Sequence, residues 1–276
     1  MKKLSFLLTF MTTIAFAQEK IFLYPDNKAS DSPFIESFPA GKPNGITILV
    51  VPGGGYTHLA VDHEGKDIAK FYNKNGFDAW VLHYRVNDDG KYSYRFPDQY
   101  NDVTTAIRLV KSKSKDPERV GIIGFSAGGH LSSMCTTMHI EADKNSATPF
   151  QRFSSRPAFA MLIYPVIAMT GDIAHQGSRD NLIGQVVDQK LADSLSTYNR
   201  VDKNTPPTFI VFSTDDDVVM VENGLKFYEA LHKNNVPATI HIFDHGGHGY
   251  GLAPKDPVLN SWGQLSVDWI RSHFPK

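Results

Sequence analysis

Hydrophobic and polar positions follow two patterns along the chain, and these patterns predict its secondary structure. Continuous runs of apolar and β-branched residues, such as residues 46–51, predict strands that are buried on both faces. Apolar residues three and four positions apart, as at Val103, Ala106, Ile107 and Val110, predict helices with one buried face. Strands are predicted at 46–51, 77–84, 120–124, 158–165, 208–213 and 239–243. Helices are predicted at 64–75, 126–139, 222–234 and 261–273, and also after Asp98, which is suited to cap the helix that contains Val103.

The order of these elements predicts the fold class. A strand followed by a helix, repeated along the chain, indicates an α/β protein with a mostly parallel central sheet and helices on both faces. We expect one domain over residues 18–276. Two stretches depart from the alternation: 19–44, rich in Pro, Ser and Asp, predicts an edge strand or an extended lead-in. Residues 167–207 form a long irregular insertion with some helical content, which is typical of a functional loop over a site.

The first 17 residues have the pattern of an export signal. Lys2 and Lys3 are followed by a mostly apolar stretch, and small residues at Ala15 and Ala17 precede polar Gln18. This pattern predicts a signal peptide that is cleaved after Ala17, and therefore a periplasmic or secreted protein. A buried first helix is the alternative. The apolar stretch is too short to span a bilayer and no other segment is long enough, so we expect no membrane anchor.

Composition excludes some classes of partner. The net charge is −1, hydrophobic residues make up 41% and charged residues 21%, which is ordinary for a globular protein. Lys and Arg form no stripe, so we expect no nucleic-acid partner. The single cysteine, Cys135, cannot form an internal disulfide and lies in an apolar run, which indicates a buried small residue.

A serine lies at a predicted junction between a strand and a helix. Gly124-Phe125-Ser126-Ala127-Gly128 fits the pattern G-x-S-x-G. In this setting a sharp turn projects the serine oxygen beyond the sheet and directs the helix N-terminus towards a reacting carbonyl. The alternative is a chance match in a loop of serine and glycine. The flanking strand and helix favour Ser126 as a nucleophile.

A run of glycines follows the first buried strand. Gly53-Gly54-Gly55 allows backbone N–H groups to approach a reacting oxygen closely, as an oxyanion hole requires. The residue after the nucleophile, Ala127, would supply a second donor. The alternatives are a flexible turn or a phosphate loop, but the lysine of a P-loop pattern is absent.

Acidic residues and histidines follow the last two predicted strands. The run of Asp215, Asp216 and Asp217 could supply the carboxylate that orients a histidine. A solvated acidic loop or a calcium site is the alternative, although adjacent side chains cannot all face one ion. His245 or His248, in a glycine-rich loop, could act as general base. No further ligand cluster joins these histidines, so we expect no metal.

Several of these motifs together resemble a known family. The chain is similar to the bacterial acetyl esterase/acetylxylan esterase group of α/β-hydrolases, which have the order Ser, Asp, His along the chain. The resemblance extends from about Ile46 to the end and rests on the segments 52–56, 124–131, 221–223 and 246–252, with 176–184 similar to the group's insertion. It implies the α/β-hydrolase fold.

The resemblance also implies the site residues. It assigns the catalytic triad to Ser126, Asp216 and His248. It assigns the oxyanion hole to Gly54 with a neighbouring glycine, Gly55, and to Ala127. The chain departs from the family at Met220, where a proline is usual, and this affects only the geometry of the Asp loop.

The function implied by the resemblance is hydrolysis of short acyl esters, above all acetyl esters, of carbohydrate such as acetylated xylan or xylo-oligosaccharides. No metal or organic cofactor is implied. A feruloyl esterase or general carboxylesterase is the nearest alternative. A peptidase of this fold typically carries a further large domain. A catalytically inactive carbohydrate-binding homologue would not need all three of Ser, Asp and His.

Overall fold

An eight-stranded sheet forms the centre of the protein in the computed structural model, which describes residues 18–25, 31–88 and 93–275. The strand order is β1-β2-β4-β3-β5-β6-β7-β8. The strands are β1 (Lys20–Phe22), β2 (Phe34–Phe38), β3 (Thr47–Val51), β4 (Asp78–His83), β5 (Val120–Phe125), β6 (Ala160–Ile163), β7 (Thr208–Ser213) and β8 (Ala238–Phe243). All pairs from β4 to β8 are parallel. The predicted α/β fold with a mostly parallel sheet is confirmed.

Helices cover both faces of this sheet. They are α1 (Asp67–Lys74), α2 (Asp98–Lys113), α3 (Ser126–Thr137), α4 (Gln176–Ile183), α5 (Gln189–Leu195), α6 (Glu222–Lys233) and α7 (Ser261–His273). The step from β3 to β4 runs towards β2, whereas the later steps, from β4 to β5 and on to β8, run the opposite way across the sheet. Because crossovers between parallel strands are right-handed, this reversal places α1 on one face of the sheet and α2, α3 and α6 on the other. The hydroxyl groups of Tyr72 and Ser266 lie 2.8 Å apart and join α1 to α7.

The central strands are buried on both faces, as their apolar sequences predict. Every residue of β3, β5, β6 and β7 is buried. Cys135 on α3 is also buried, and its thiol donates to the carbonyl oxygen of Ser155. The predicted signal peptide, 1–17, lies outside the described residues. In the described part of the chain, no helix combines the length and apolar character needed to cross a membrane.

The structure extends one local prediction, since the edge strand expected within 19–44 is present, and it corrects another. The lead-in 19–44 contains two strands: β1 pairs with β2, and β2 pairs antiparallel with β4, with Ile35 opposite Leu82. Asp98 does not cap α2 with its side chain. It is the first residue of the helix, and its carboxylate lies 3.0 Å from the guanidinium of Arg85. The ion pair with Arg85 therefore replaces the expected cap.

The insertion 167–207 is more regular than its sequence suggests. It contains α4, α5 and a short 3₁₀ turn at Thr197–Arg200. The N-terminus of α4 is capped by His175 and that of α5 by Asp188, each through its side chain. These caps stabilise helices that are too short to persist alone.

Candidate active site

Ser126 occupies a strained turn between β5 and α3. Its φ is +52°, a left-handed conformation that residues other than glycine rarely adopt. The glycines on either side make this turn possible. A Cβ atom at Gly124 would lie 2.2 Å from the carbonyl oxygen of Gly128, and one at Gly128 would lie 2.3 Å from that of Pro52. Both positions of the G-x-S-x-G pattern therefore exclude any side chain.

The structure brings Ser126, His248 and Asp216 into one chain of hydrogen bonds. Nε2 of His248 lies 2.8 Å from Oγ of Ser126, and Nδ1 of His248 lies 2.7 Å from Oδ2 of Asp216. A carboxylate can only accept, so the proton of the neutral ring is on Nδ1 and Nε2 accepts from the serine hydroxyl. This arrangement can transfer a proton from the serine to the histidine.

The three adjacent aspartates have three different surroundings. Oδ1 of Asp216, which is buried, accepts the N–H groups of Val218 and Val219 at 3.0 and 2.8 Å. The exposed carboxylate of Asp215 accepts the N–H groups of residues 246 and 247. Asp217 is exposed, and no hydrogen bond within the described residues involves it. Only Asp216 faces His248.

The second candidate histidine, His245, lies outside this chain of hydrogen bonds. Its Nδ1 lies 2.7 Å from Asp244 and its Nε2 lies 2.6 Å from Asp256. Hydrogen bonds to these two carboxylates raise the pKa of His245. His245 therefore joins parts of the surface, whereas His248 contacts the serine.

The glycine run forms a loop beside Ser126. The N–H of Gly53 donates to Oε2 of Glu64 at 2.8 Å, so it is not available to a substrate. Within the described residues the N–H groups of Gly54 and Gly55 donate no hydrogen bond. Gly54 has φ +126°, and a Cβ there would lie 2.2 Å from the carbonyl oxygen of His58. The N–H of Ala127, in the first turn of α3, has no acceptor within its helix.

A buried glutamate that the sequence analysis did not identify joins three loops of the site. Besides Gly53, Glu64 accepts a hydrogen bond from the hydroxyl of Tyr164 at 2.8 Å. That hydroxyl accepts the N–H of Gly251 at 3.0 Å. Burial raises the pKa of Tyr164 well above its ordinary value, so the hydroxyl keeps its proton and donates. The ring of Tyr164 also packs against the imidazole of His248, with centroids 4.9 Å apart.

A cleft of about 400 Å³ opens above the serine. Its lining includes the glycine loop, the triad histidine and part of the insertion. The insertion contributes His175, Gly177 and Asn181. Nδ2 of Asn181 donates to the carbonyl oxygen of Gly55 at 2.9 Å, which attaches α4 to the glycine loop. The insertion thus forms one wall of the cleft.

His130, one turn after the serine, holds the glycine loop and the insertion together from below. Its Nδ1 lies 2.7 Å from the hydroxyl of Tyr56, and its Nε2 lies 2.8 Å from the carbonyl oxygen of Leu195. Nε2 must carry the proton to donate to that carbonyl, so Nδ1 accepts from the tyrosine. The ring is fully buried, and burial lowers the pKa of His130 to about 4.

We therefore expect His130 to make the protein sensitive to acid. An unfolded histidine titrates near pH 6.5, whereas His130 in the folded protein has a pKa of about 4. As the pH falls below 6.5 the unfolded chain gains a proton that the folded protein does not. When the pH falls from 7 to roughly 4.5, this difference in proton binding should lower the free energy of unfolding by about 2 kcal/mol.

Urea unfolding of wild type and of His130→Gln at the two pH values measures this effect. Glutamine retains a donor towards Leu195 and has no titrating group, so the variant should be less stable at pH 7 but lose less stability in acid. The exposed His232, replaced in the same way, is the control. If wild type and His130→Gln lost the same free energy of unfolding in acid, His130 would not be the group that makes the protein sensitive to acid.

The same fold and sequence pattern occur in known proteins. The acetylxylan esterase of Xylanibacter ruminicola is 34% identical over 91% of this chain, and endo-1,4-beta-xylanase B of Butyrivibrio fibrisolvens is 34% identical over 82%. The crystal structure of an acetyl ester-xyloside bifunctional hydrolase from Caldicellulosiruptor lactoaceticus superposes with a TM-score of 0.84 at 39% identity. The superposition covers 92% of this chain and 96% of the Caldicellulosiruptor chain.

The extent of these matches defines the family. The chain spans 49% of the length of the Xylanibacter protein and 36% of that of the Butyrivibrio protein. The model of the BD-FAE family matches residues 38–231, which is more than half of the chain. The expected resemblance to esterases of the α/β-hydrolase fold is confirmed, and the chain belongs to the BD-FAE family.

Proposed function

We propose that this protein is a serine esterase that removes short acyl groups, above all acetyl, from carbohydrates such as acetylated xylan or xylo-oligosaccharides. The observation that carries the proposal is the hydrogen-bonded chain of Ser126, His248 and Asp216 at a strained turn. Beside it lie backbone N–H groups that donate no hydrogen bond within the described part of the chain. The names of the three similar proteins, which refer to acetyl esters, xylan or xylosides, support the substrate class.

The proposed reaction has two steps. In the first, Nε2 of His248 takes the proton of Ser126 while Oγ attacks the ester carbonyl, and Asp216 stabilises the imidazolium. The tetrahedral oxyanion accepts hydrogen bonds from N–H groups of Gly54 or Gly55 and of Ala127. His248 then gives the proton to the departing sugar oxygen. In the second step His248 activates water, which releases acetate and restores the serine.

Release of the free acid or of the alcohol, measured across a panel of esters, tests the proposal. The panel contains acetylated xylan, acetylated xylo-oligosaccharides, feruloyl esters and p-nitrophenyl esters of increasing chain length. A cleft of about 400 Å³ is near the lower end of the range for small-molecule sites, which favours a short acyl group. We expect acetyl esters to have the highest kcat/KM. Octanoyl or feruloyl esters that react tenfold faster would instead favour the general carboxylesterase or feruloyl esterase alternative.

We infer that the protein acts outside the cytoplasm, after cleavage of residues 1–17. The basic start at Lys2 and Lys3, the apolar stretch and the small residues at Ala15 and Ala17 support this inference. Acetylated polysaccharide would also be met outside the cell membrane. N-terminal sequencing of the protein from the producing cells should find Gln18 as the first residue. A cytosolic product that begins with Met1 would contradict it.

A further inference from the structure

The cap of α4 places a histidine of fixed orientation in the cleft. Nδ1 of His175 accepts the backbone N–H of Ser178 at 3.3 Å and lies 2.8 Å from Oγ of the same serine. A nitrogen that accepts the N–H carries no proton, so the neutral ring holds its proton on Nε2. The helix cap therefore sets both the tautomer and the direction of the ring.

The other ring nitrogen is free to bind a ligand. Nε2 of His175 has no hydrogen-bond partner among the described residues, and the side chain lines the same cleft as Ser126 and His248. The neighbouring Gly177 has no side chain to cover this side of the ring, whereas a Cβ at that position would contact Nε2 at 3.6 Å. Burial and the nearby His248 lower the pKa of His175, so the ring stays neutral near pH 7.

The oxygens of an acetylated sugar can be assigned one by one. The carbonyl oxygen belongs with the backbone N–H groups of the glycine loop and Ala127. The oxygen of the departing alcohol takes its proton from His248. The methyl of the acetyl group has no oxygen. A further donor in the cleft can therefore pair only with the remaining sugar oxygens, which are hydroxyl groups and the ring oxygen.

We propose that His175 forms a subsite for the carbohydrate part of the substrate, where Nε2–H donates to a hydroxyl oxygen of the acetylated sugar. This proposal rests on the proposed esterase function. Asn181, the other polar side chain that α4 directs to the cleft, is attached to the carbonyl oxygen of Gly55. The two residues therefore have different roles in this wall of the cleft: Asn181 positions the glycine loop, and His175 recognises the sugar.

Two substitutions separate the cap from the donor. His175→Asn keeps an oxygen near the position of Nδ1, and asparagine is a good N-cap, but it has no donor at the position of Nε2. His175→Gln extends an amide N–H towards the position of Nε2 but gives a poorer cap. His232→Asn, on the exposed face of α6, is the matched control. All four proteins are assayed on phenyl acetate, whose alcohol part has no hydroxyl besides the reacting oxygen, and on a monoacetylated methyl xyloside.

The subsite predicts a loss that depends on the substrate. For His175→Asn, kcat/KM on the xyloside should fall by about two- to tenfold beyond any fall on phenyl acetate, mostly through KM, because one neutral hydrogen bond is lost. His175→Gln should recover part of this difference, and His232→Asn should match wild type on both esters. Equal losses on both esters would overturn the subsite while leaving the esterase function intact. A wild type that cleaves phenyl acetate but not the xyloside would contradict both the proposed substrate and the subsite.

Discussion

Ser126→Ala should lower kcat by about 10⁶-fold on every ester that the wild type cleaves, which is the loss found when a serine hydrolase loses its nucleophile. Alanine lacks the oxygen that attacks the carbonyl, and His248 then has no proton to accept from residue 126. The remaining N–H groups of the glycine loop and Ala127 would polarise a bound ester but would form no covalent intermediate. Initial rates of acetate release at saturating substrate measure the effect.

The control for this variant is its folding. Alanine and serine face a similar penalty at φ +52°, so thermal unfolding of Ser126→Ala should resemble that of wild type. Labelling with a fluorophosphonate probe should disappear in parallel with activity, since the probe bonds to the nucleophile. A variant that folds, stays unlabelled and yet retains activity within tenfold of wild type would exclude Ser126 as the nucleophile.

Asp216→Asn should lower kcat by about 10⁴-fold, as the same change does in a related triad. The asparagine can still accept the N–H groups of Val218 and Val219, so the loop keeps its shape. Its amide nitrogen, if turned towards His248, would donate to Nδ1 and shift the ring proton to Nε2. In that tautomer the histidine can no longer accept the proton of Ser126.

The neighbouring aspartates supply graded controls. Asp217→Asn changes an exposed side chain and should leave activity within a few-fold of wild type. Asp215→Asn should have an intermediate effect, because Asp215 accepts the N–H groups of residues 246 and 247 and so positions the histidine loop. All three variants are compared at pH 7 to 8 on one ester. If Asp217→Asn were the most impaired of the three, the assignment of Asp216 would be wrong.

The parts of the protein that sequence reasoning could predict have local signatures. The buried strands appear as apolar runs, and the turn at Ser126 requires small residues within two positions on each side. The parallel sheet follows from the order of the elements. The assignments of Ser126, Asp216 and His248 to a triad stay predictions that the variants above test, although the structure already brings the three side chains together.

Other parts depend on contacts between residues far apart in the sequence. Glu64 and Tyr164 are separated by 100 positions, and nothing near Glu64 distinguishes it from a solvated residue at the start of a helix. The role of His175 as a cap could not be predicted without knowing where α4 begins, and α4 lies in a stretch whose composition gives no clear helical pattern. Asp98 does not act as a cap because the helix begins with it, Pro97 holds the cap position, and its carboxylate pairs with Arg85.

The junction that Glu64 makes with Gly53 and with Tyr164, whose hydroxyl accepts the N–H of Gly251, has a consequence for protein engineering. Selectivity can be altered by exchanging loops between related esterases. Each of these loops looks suitable for exchange because it follows the end of a strand and not the middle of one. In this protein a chimaera that receives only one of the loops would leave a buried carboxylate, hydroxyl or amide without its partner. Such a group costs about 1–3 kcal/mol. The glycine loop with Glu64, the end of β6 and the histidine loop therefore form one module, and grafts should transfer them together.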